Sequence, residues 1–294
     1  MWFNNLHVIE FEQKIEYNPE WVESELQHHL FKECSALHPI THGFVSPISG
    51  SVDDPLVYAS QGLICFCLQT QQKLLPASVL REQHQAKIKN LEEKLGKKIA
   101  RDEKQRIKEE LEHTLLSQAF SRSQKTYAYI NTQTQRLLIN SCSNTTLTVF
   151  YKFLSLIFGT YQPKPLTLQS PSSILTSWLR DQDNPTVFNI LDHGSLENTS
   201  EQKGKARFSH IDLYDDTIQS MLKENCRVTG LRLNWDDKIC FNLKEDFSIT
   251  SIKFLDEIKQ LAKDQHTETD ADRFATDLFI MTETISAFLA DLLP

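Results

Sequence analysis

The sequence has few of the features that mark secreted, membrane or zinc-binding proteins. Its six cysteines include no C-x-x-C pair and no histidine at zinc-finger spacing, so they predict buried, reduced thiols and no metal. The apolar stretches Leu147–Phe158 and Phe274–Leu293 are interrupted by charged residues and predict no membrane span. The first residues lack the basic and apolar regions of a secretory signal. We therefore expect a soluble, cytoplasmic protein.

Motifs of catalysis and cofactor binding are also missing. His38 and His42 have the spacing of a helical metal pair, but Pro39 between them predicts a loop. The stretch Leu95–Lys98 lacks the first glycine and the Ser/Thr of a P-loop, and no G-x-S-x-G occurs. Asp236–Lys238 has the residue types of a metal-dependent nuclease but lacks a second acidic motif, which favours a turn between strands. We expect no enzymatic activity and no cofactor.

Excess positive charge is lacking too, since the net charge is −8. Residues 255–294 hold nine acidic and three basic residues, a balance of −6, which leaves −2 for residues 1–254. Charges more than about 10 Å apart are largely screened near physiological salt. The mean charge therefore does not exclude a basic surface elsewhere in the chain.

Strand and helix patterns alternate along most of the chain. Short apolar runs separated by turn residues predict a mixed, mainly antiparallel sheet with flanking helices, an α+β fold. The predicted strands are 2–11, 44–45, 56–59, 63–68, 127–130, 137–140, 227–233, 239–243 and 249–254. Helices are predicted at 19–31, 146–158, 172–179 and from Asp272, with a break at Pro163–Pro165.

The segment Pro76–Phe120 differs from the rest by its long charged side chains. Its thin apolar stripe predicts two helices hinged near Gly96, which form a hairpin with most of its surface in water. Residues 81–112 contain ten basic and eight acidic residues, with the basic ones concentrated about the turn. A charged hairpin is by itself also compatible with a plain solvated surface.

Dispersed landmarks over essentially the full length resemble the RdgC family of recombination-associated proteins. They are Trp2–Leu6, Lys73–Pro76, Glu103–Glu110, Ala119–Ser123, Leu175–Leu179, Arg227–Thr229, Leu233–Asp237 and Arg273–Glu283. The resemblance implies a ring-shaped homodimer that encircles double-stranded DNA without sequence preference, in the nucleoid, and limits access of the recombinase RecA. On this basis residues 1–76 and 120–165 are a central domain, 77–119 a helical tip finger and 166–294 a base domain.

The same resemblance assigns residues to the two functions of the ring. Phe120 is similar to the family's apolar plug at the tip contact between subunits. The residues assigned to DNA are Lys73, Lys94, Lys97, Lys98, Arg101, Lys104, Arg122, Arg207, Arg227 and Arg232. The chain departs from the family at often basic positions, among them His210 and Gly230. Two alternatives stay open: a metal-dependent nuclease, and a protein-interaction module that docks through the finger.

Overall fold

The fold is that of a computed structural model, which describes residues 1–16, 18–166, 170–200, 204–265 and 269–293. Over these residues the α-helices are α1 Pro19–Gln27, α2 Ala77–Leu95, α3 Arg101–Gln118, α4 Asn144–Ile157, α5 Pro171–Asp181, α6 Asp216–Lys223, α7 Asp256–Asp264 and α8 Asp270–Leu292. The strands are β1 His7–Phe11, β2 Ile40–Val45, β3 Val57–Ser60, β4 Leu63–Lys73, β5 Ser121–Asn131, β6 Arg136–Ile139, β7 Pro163–Pro165, β8 Phe188–Asn198, β9 Lys205–Ser209, β10 Cys226–Trp235, β11 Ile239–Lys244 and β12 Ile249–Phe254.

The chain divides into two compact units. The first contains Met1–Tyr17, Gln61–Leu63 and Ala128–Pro294, and the second contains Asn18–Ser60 and Ile64–Tyr127. The α+β class with antiparallel sheets is confirmed. The ring-shaped dimer stays a prediction.

In the second unit, α1 packs on β3, and both β2 and β3 pair with β4. The Glu23 carboxylate of α1 accepts hydrogen bonds from the backbone N–H groups of Leu56 and Val57, at 3.0 and 2.8 Å. A Cβ atom on Gly43 would lie 2.3 Å from the Cα atom of Phe31. Only glycine therefore lets β2 pass so close to the segment that follows α1.

In the first unit, β6 lies between β5 and β1, and β7 pairs with β1. The predicted break between helices at Pro163–Pro165 is present, and this segment forms the edge strand, with Pro163 opposite Phe11 and Pro165 opposite Ile9. An edge strand needs hydrogen bonds on one side only, so it tolerates residues without a backbone N–H.

The other sheet of the first unit has the strand order β12-β11-β10-β8-β9, with every pair antiparallel. One of its faces is covered by α8, whose Phe288 ring centroid lies 4.7 Å from that of Phe241 and 5.9 Å from that of Trp235. From Leu231 to Trp235, side chains of β10 alternate between this core and the opposite face, as the two-residue period of a strand requires. The opposite face carries polar and charged side chains.

All six cysteines are free. Cys65 and Cys67 are buried in β4, as predicted, and the other four are partly exposed. Burial raises the pKa of the Cys67 thiol to about 12, so this thiol stays protonated at neutral pH and unreactive. None of the helices in the described ranges is both long and apolar enough to cross a membrane.

Candidate nucleic-acid interface

The two helices of the predicted finger form a hairpin with a small apolar core. Ile88 of α2 and Ile107 of α3 pack with Ile99 of the connecting turn, and Leu91 covers this cluster. Gly96 ends α2 in the left-handed region at φ +62°. A core this narrow leaves most charged side chains of the hairpin in water.

A network of polar contacts holds the turn of the hairpin in place. The Glu92 carboxylate accepts a hydrogen bond from the Ile99 backbone N–H at 3.0 Å and forms an ion pair with Lys104 at 2.8 Å. The hydrogen bond from Lys104 lowers the pKa of Glu92. His84 donates a ring N–H to the Lys104 carbonyl at 2.9 Å. The Lys104 ammonium therefore stabilises the hairpin as well as adding charge near its turn.

We predict that Gly96→Ala destabilises the hairpin by about 1 kcal/mol, because a Cβ atom disfavours the left-handed conformation that ends α2. Hydrogen exchange of the α2 and α3 amides measures the effect. Gly159→Ala is the matched control, since its Cβ atom would meet no atom within 4 Å and its φ is not left-handed. Equal protection in both variants would contradict the assignment of Gly96 as the required helix cap.

Four of the residues assigned to DNA surround this turn with exposed side chains: Lys94, Lys97, Lys98 and Arg101. Arg122 is exposed on β5. Lys73 is half-buried, and its Nζ donates a hydrogen bond to the Ala119 carbonyl at 3.0 Å. The Lys73 side chain thus ties the end of β4 to the end of the hairpin.

Phe120 lies where α3 gives way to β5. Its carbonyl accepts a hydrogen bond from the Leu74 backbone N–H at 2.8 Å, which fixes the local backbone. Its side chain is nevertheless 86% exposed, the largest exposed fraction among the large apolar residues of the described chain. Phe120 is therefore not a core residue of the single chain.

A second basic surface lies on the open face of the β12-β11-β10-β8-β9 sheet. Four residues on neighbouring strands stand in one row across it: Arg207 is opposite Ser195, Ser195 opposite Gly230, and Gly230 opposite Lys244. Neighbouring strands are about 4.8 Å apart, so the two cationic residues are separated by about 14 Å at the backbone. Gly230 has no side chain, and this keeps the middle of the row open.

This row forms the floor of a depression of about 600 Å³, which we call the sheet depression. Its lining includes the basic residues Lys205, Arg207, Arg232 and Lys244 and the acidic residues Glu245 and Asp246. Arg232 lies opposite Asn242, two residues along β10 from Gly230. Sequence reasoning assigned Arg207 and Arg232 but missed Lys205 and Lys244. The alternation of residues 205–208, basic then apolar twice, is the signal that marks Lys205 and Arg207 as neighbours on one strand face.

Arg227 is not part of the lining, and it pairs with acidic neighbours. Its guanidinium forms ion pairs with Glu197 at 2.7 Å and with Glu245 at 3.1 Å. The hydrogen bond from Arg227 lowers the pKa of Glu197, and the same bond raises the pKa of Arg227. Both groups stay charged at neutral pH, so the Arg227 charge is largely balanced within the protein.

The acidic pair that resembled a nuclease motif lies in the turn between β10 and β11, as predicted. Asp236 accepts from the Lys238 ammonium at 2.6 Å, and Asp237 accepts from the Asn234 side-chain amide at 2.6 Å. Both aspartates have left-handed φ angles, +46° and +51°. Their carboxylates are engaged in local contacts that shape this turn.

The fold and these surfaces define an α+β protein with antiparallel sheets, a basic helical hairpin and a basic depression on an open sheet face. The family model described as "RdgC: Putative exonuclease, RdgC" matches residues 1–294. The chain is 32% identical over 293 residues to the recombination-associated protein RdgC of Tolumonas auensis, covering 99% of this chain and 97% of that one. It is 30% identical over 294 residues to the Yersinia enterocolitica protein of the same name, with 100% and 97% covered. The chain belongs to the RdgC family.

Proposed function

We propose that this protein binds double-stranded DNA without sequence preference, as a homodimer that encircles the duplex, and thereby limits the access of RecA during homologous recombination. The observation that carries the proposal is the sheet depression, where Arg207, Arg232 and Lys244 converge on one open face. Arginine and lysine side chains that neutralise phosphates supply most of the affinity of non-specific DNA binding. The names of the relatives support a role in recombination.

The absence of sequence preference follows from the kind of contact that these surfaces offer. Cationic side chains on a sheet face and around a helical turn reach phosphates, which are the same in every sequence. The exposed cationic side chains at the turn, Lys97 and Lys98 among them, offer phosphate contacts on the hairpin as well. On this proposal the protein works in the nucleoid by occupying DNA, without cleaving it.

We predict that affinity for equal-length duplexes of different sequence is the same and that it falls steeply with salt. The logarithm of the association constant should decrease by about 0.9 per phosphate neutralised for each tenfold increase in salt. Fluorescence anisotropy of labelled linear duplexes between low and physiological salt measures both quantities. A strong preference for one sequence, or a complex that resists salt, would overturn the proposal.

The same samples distinguish the alternatives if Mg²⁺ is present and the DNA is afterwards run on a denaturing gel. Retention without shortening of either strand is the result expected for a binding protein. Shortened strands would show the nuclease that the description of the family model names. Neither binding nor cleavage would favour a protein-interaction module that docks through the charged hairpin.

A further inference from the structure

Two histidines and an aspartate converge beside the sheet depression, whose lining includes one of them, His193. The Nδ1 atoms of His193 and His210 lie 2.8 and 3.0 Å from the two carboxylate oxygens of Asp192. The two imidazole rings meet edge to face, with centroids 4.7 Å apart. Among the described residues, this is the group of three whose ligand atoms all lie within 4.8 Å of one another.

The backbone holds the three residues in this arrangement. Asp192 and His193 are consecutive on β8, and His193 stands opposite Ser209, the last residue of β9. His210 follows directly, in a left-handed conformation at φ +58°, and the next N–H, that of Ile211, donates to the Asp192 carbonyl at 3.4 Å. The loop after β9 is thus tied to β8 on both sides of His210.

The chemistry of the donor set decides which ion it suits. Two imidazoles and one carboxylate favour Zn²⁺ and its neighbours in the first transition row over Mg²⁺ and Ca²⁺, which prefer oxygen ligands alone. Zinc bonds of about 2.0–2.2 Å place the ligand atoms of a tetrahedron about 3.4 Å apart. The structure places one ligand atom of each of the three residues within 4.8 Å of the other two. The side chains of His210, Asp192 and His193 are 81%, 47% and 28% exposed, and small rotations bring the three ligand atoms to the spacing of a tetrahedron.

We propose that Asp192, His193 and His210 form a Zn²⁺ site in which the fourth position is open to solvent. Without the ion, each imidazole donates its Nδ1–H to the carboxylate. With the ion, each Nδ1 is a ligand in the neutral tautomer that carries its proton on Nε2. The bound ion links the loop after β9 to β8, beside the sheet depression.

The test uses the full chain, stripped with a chelator, desalted and titrated with Zn²⁺ in competition with a chromophoric chelator. We expect one Zn²⁺ per chain, unaffected by excess Mg²⁺, and an affinity that falls about tenfold or more in Asp192→Asn, His193→Gln and His210→Gln. His113→Gln is the matched control, an exposed histidine on α3 that lies outside the cluster. It should bind Zn²⁺ like the unaltered protein.

Substitution of Co²⁺ for Zn²⁺ gives a readout that does not depend on the variants. A site of two imidazoles and a carboxylate gives visible d–d bands without the near-ultraviolet thiolate-to-cobalt transition that a cysteine ligand produces. A thiolate band would place the ion on one of the partly exposed cysteines and overturn the proposal. The proposal is also overturned if Zn²⁺ does not bind stoichiometrically, or if all three folded ligand variants bind Zn²⁺ as tightly as the unaltered protein.

Discussion

Replacing Lys205, Arg207, Arg232 and Lys244 together with glutamine should lower affinity for duplex DNA by roughly three orders of magnitude at 0.1 M salt. The four side chains line one depression, so a duplex on this face contacts them together. Because Lys205 pairs with Glu197 at 3.3 Å, about three phosphate contacts are lost, so the log–log salt slope decreases by about 2.7 and the loss is the same for every sequence. Anisotropy titrations at several salt concentrations measure both.

A control with the same change in charge separates this local effect from the overall charge of the chain. Four lysines are exposed and lie outside the depression: Lys32, Lys152, Lys223 and Lys263. Their replacement by glutamine should leave the salt slope nearly unchanged.

A third variant measures how much the hairpin contributes to DNA affinity, and it replaces Lys97, Lys98, Arg101 and Lys104 with glutamine. Its loss should correspond to about three contacts, because Lys104 pairs with Glu92. If the depression and control variants lose the same affinity, the DNA surface lies elsewhere.

Phe120→Ala should open a tip contact between subunits while leaving the chain folded. The side chain is 86% exposed, so its removal costs the single chain no more than about 0.5 kcal/mol. An aromatic anchor at an interface commonly contributes about 2 kcal/mol, a thirtyfold change in the contact equilibrium, and a two-fold axis repeats the change on the partner. The expected result is a protein that still binds linear duplex but is lost from closed circular DNA after a salt challenge.

Leu37→Ala is the matched control for Phe120, since Leu37 is also a large apolar residue and is 76% exposed. It should retain closed circular DNA like the unaltered protein, and thermal unfolding of both variants should match that protein within a few degrees. If Phe120→Ala remains on closed circular DNA as well as the control does, Phe120 does not form the contact that closes the ring. A large fall in the melting temperature of Phe120→Ala would instead show that Phe120 packs within its own chain.

Local patterns in the sequence were sufficient for the hairpin and for most of the strands. The stripe of Ile88 and Ile107 and the glycine between them predict two helices and their hinge, because helical period and a left-handed cap depend on residues close in sequence. The two-residue alternation likewise predicted β10, β11 and β12, apart from one or two residues at their ends. The basic character of the hairpin turn and the exposed position of its lysines follow from the same local information.

Only the tertiary structure decided which charges meet. No helix or strand was predicted between residues 180 and 226, where β8, β9 and α6 lie, so the sequence did not place Arg207 in one row with Lys244. Strand order and register depend on packing between distant segments, and a shift of one residue exchanges the two faces of a strand. The same long-range contacts engage Lys73 with Ala119 and Arg227 with Glu197, and bring His210 to Asp192. The sequence therefore predicted which residue types carry charge and where in the chain they lie. Their partners depended on the register of strands far apart in sequence.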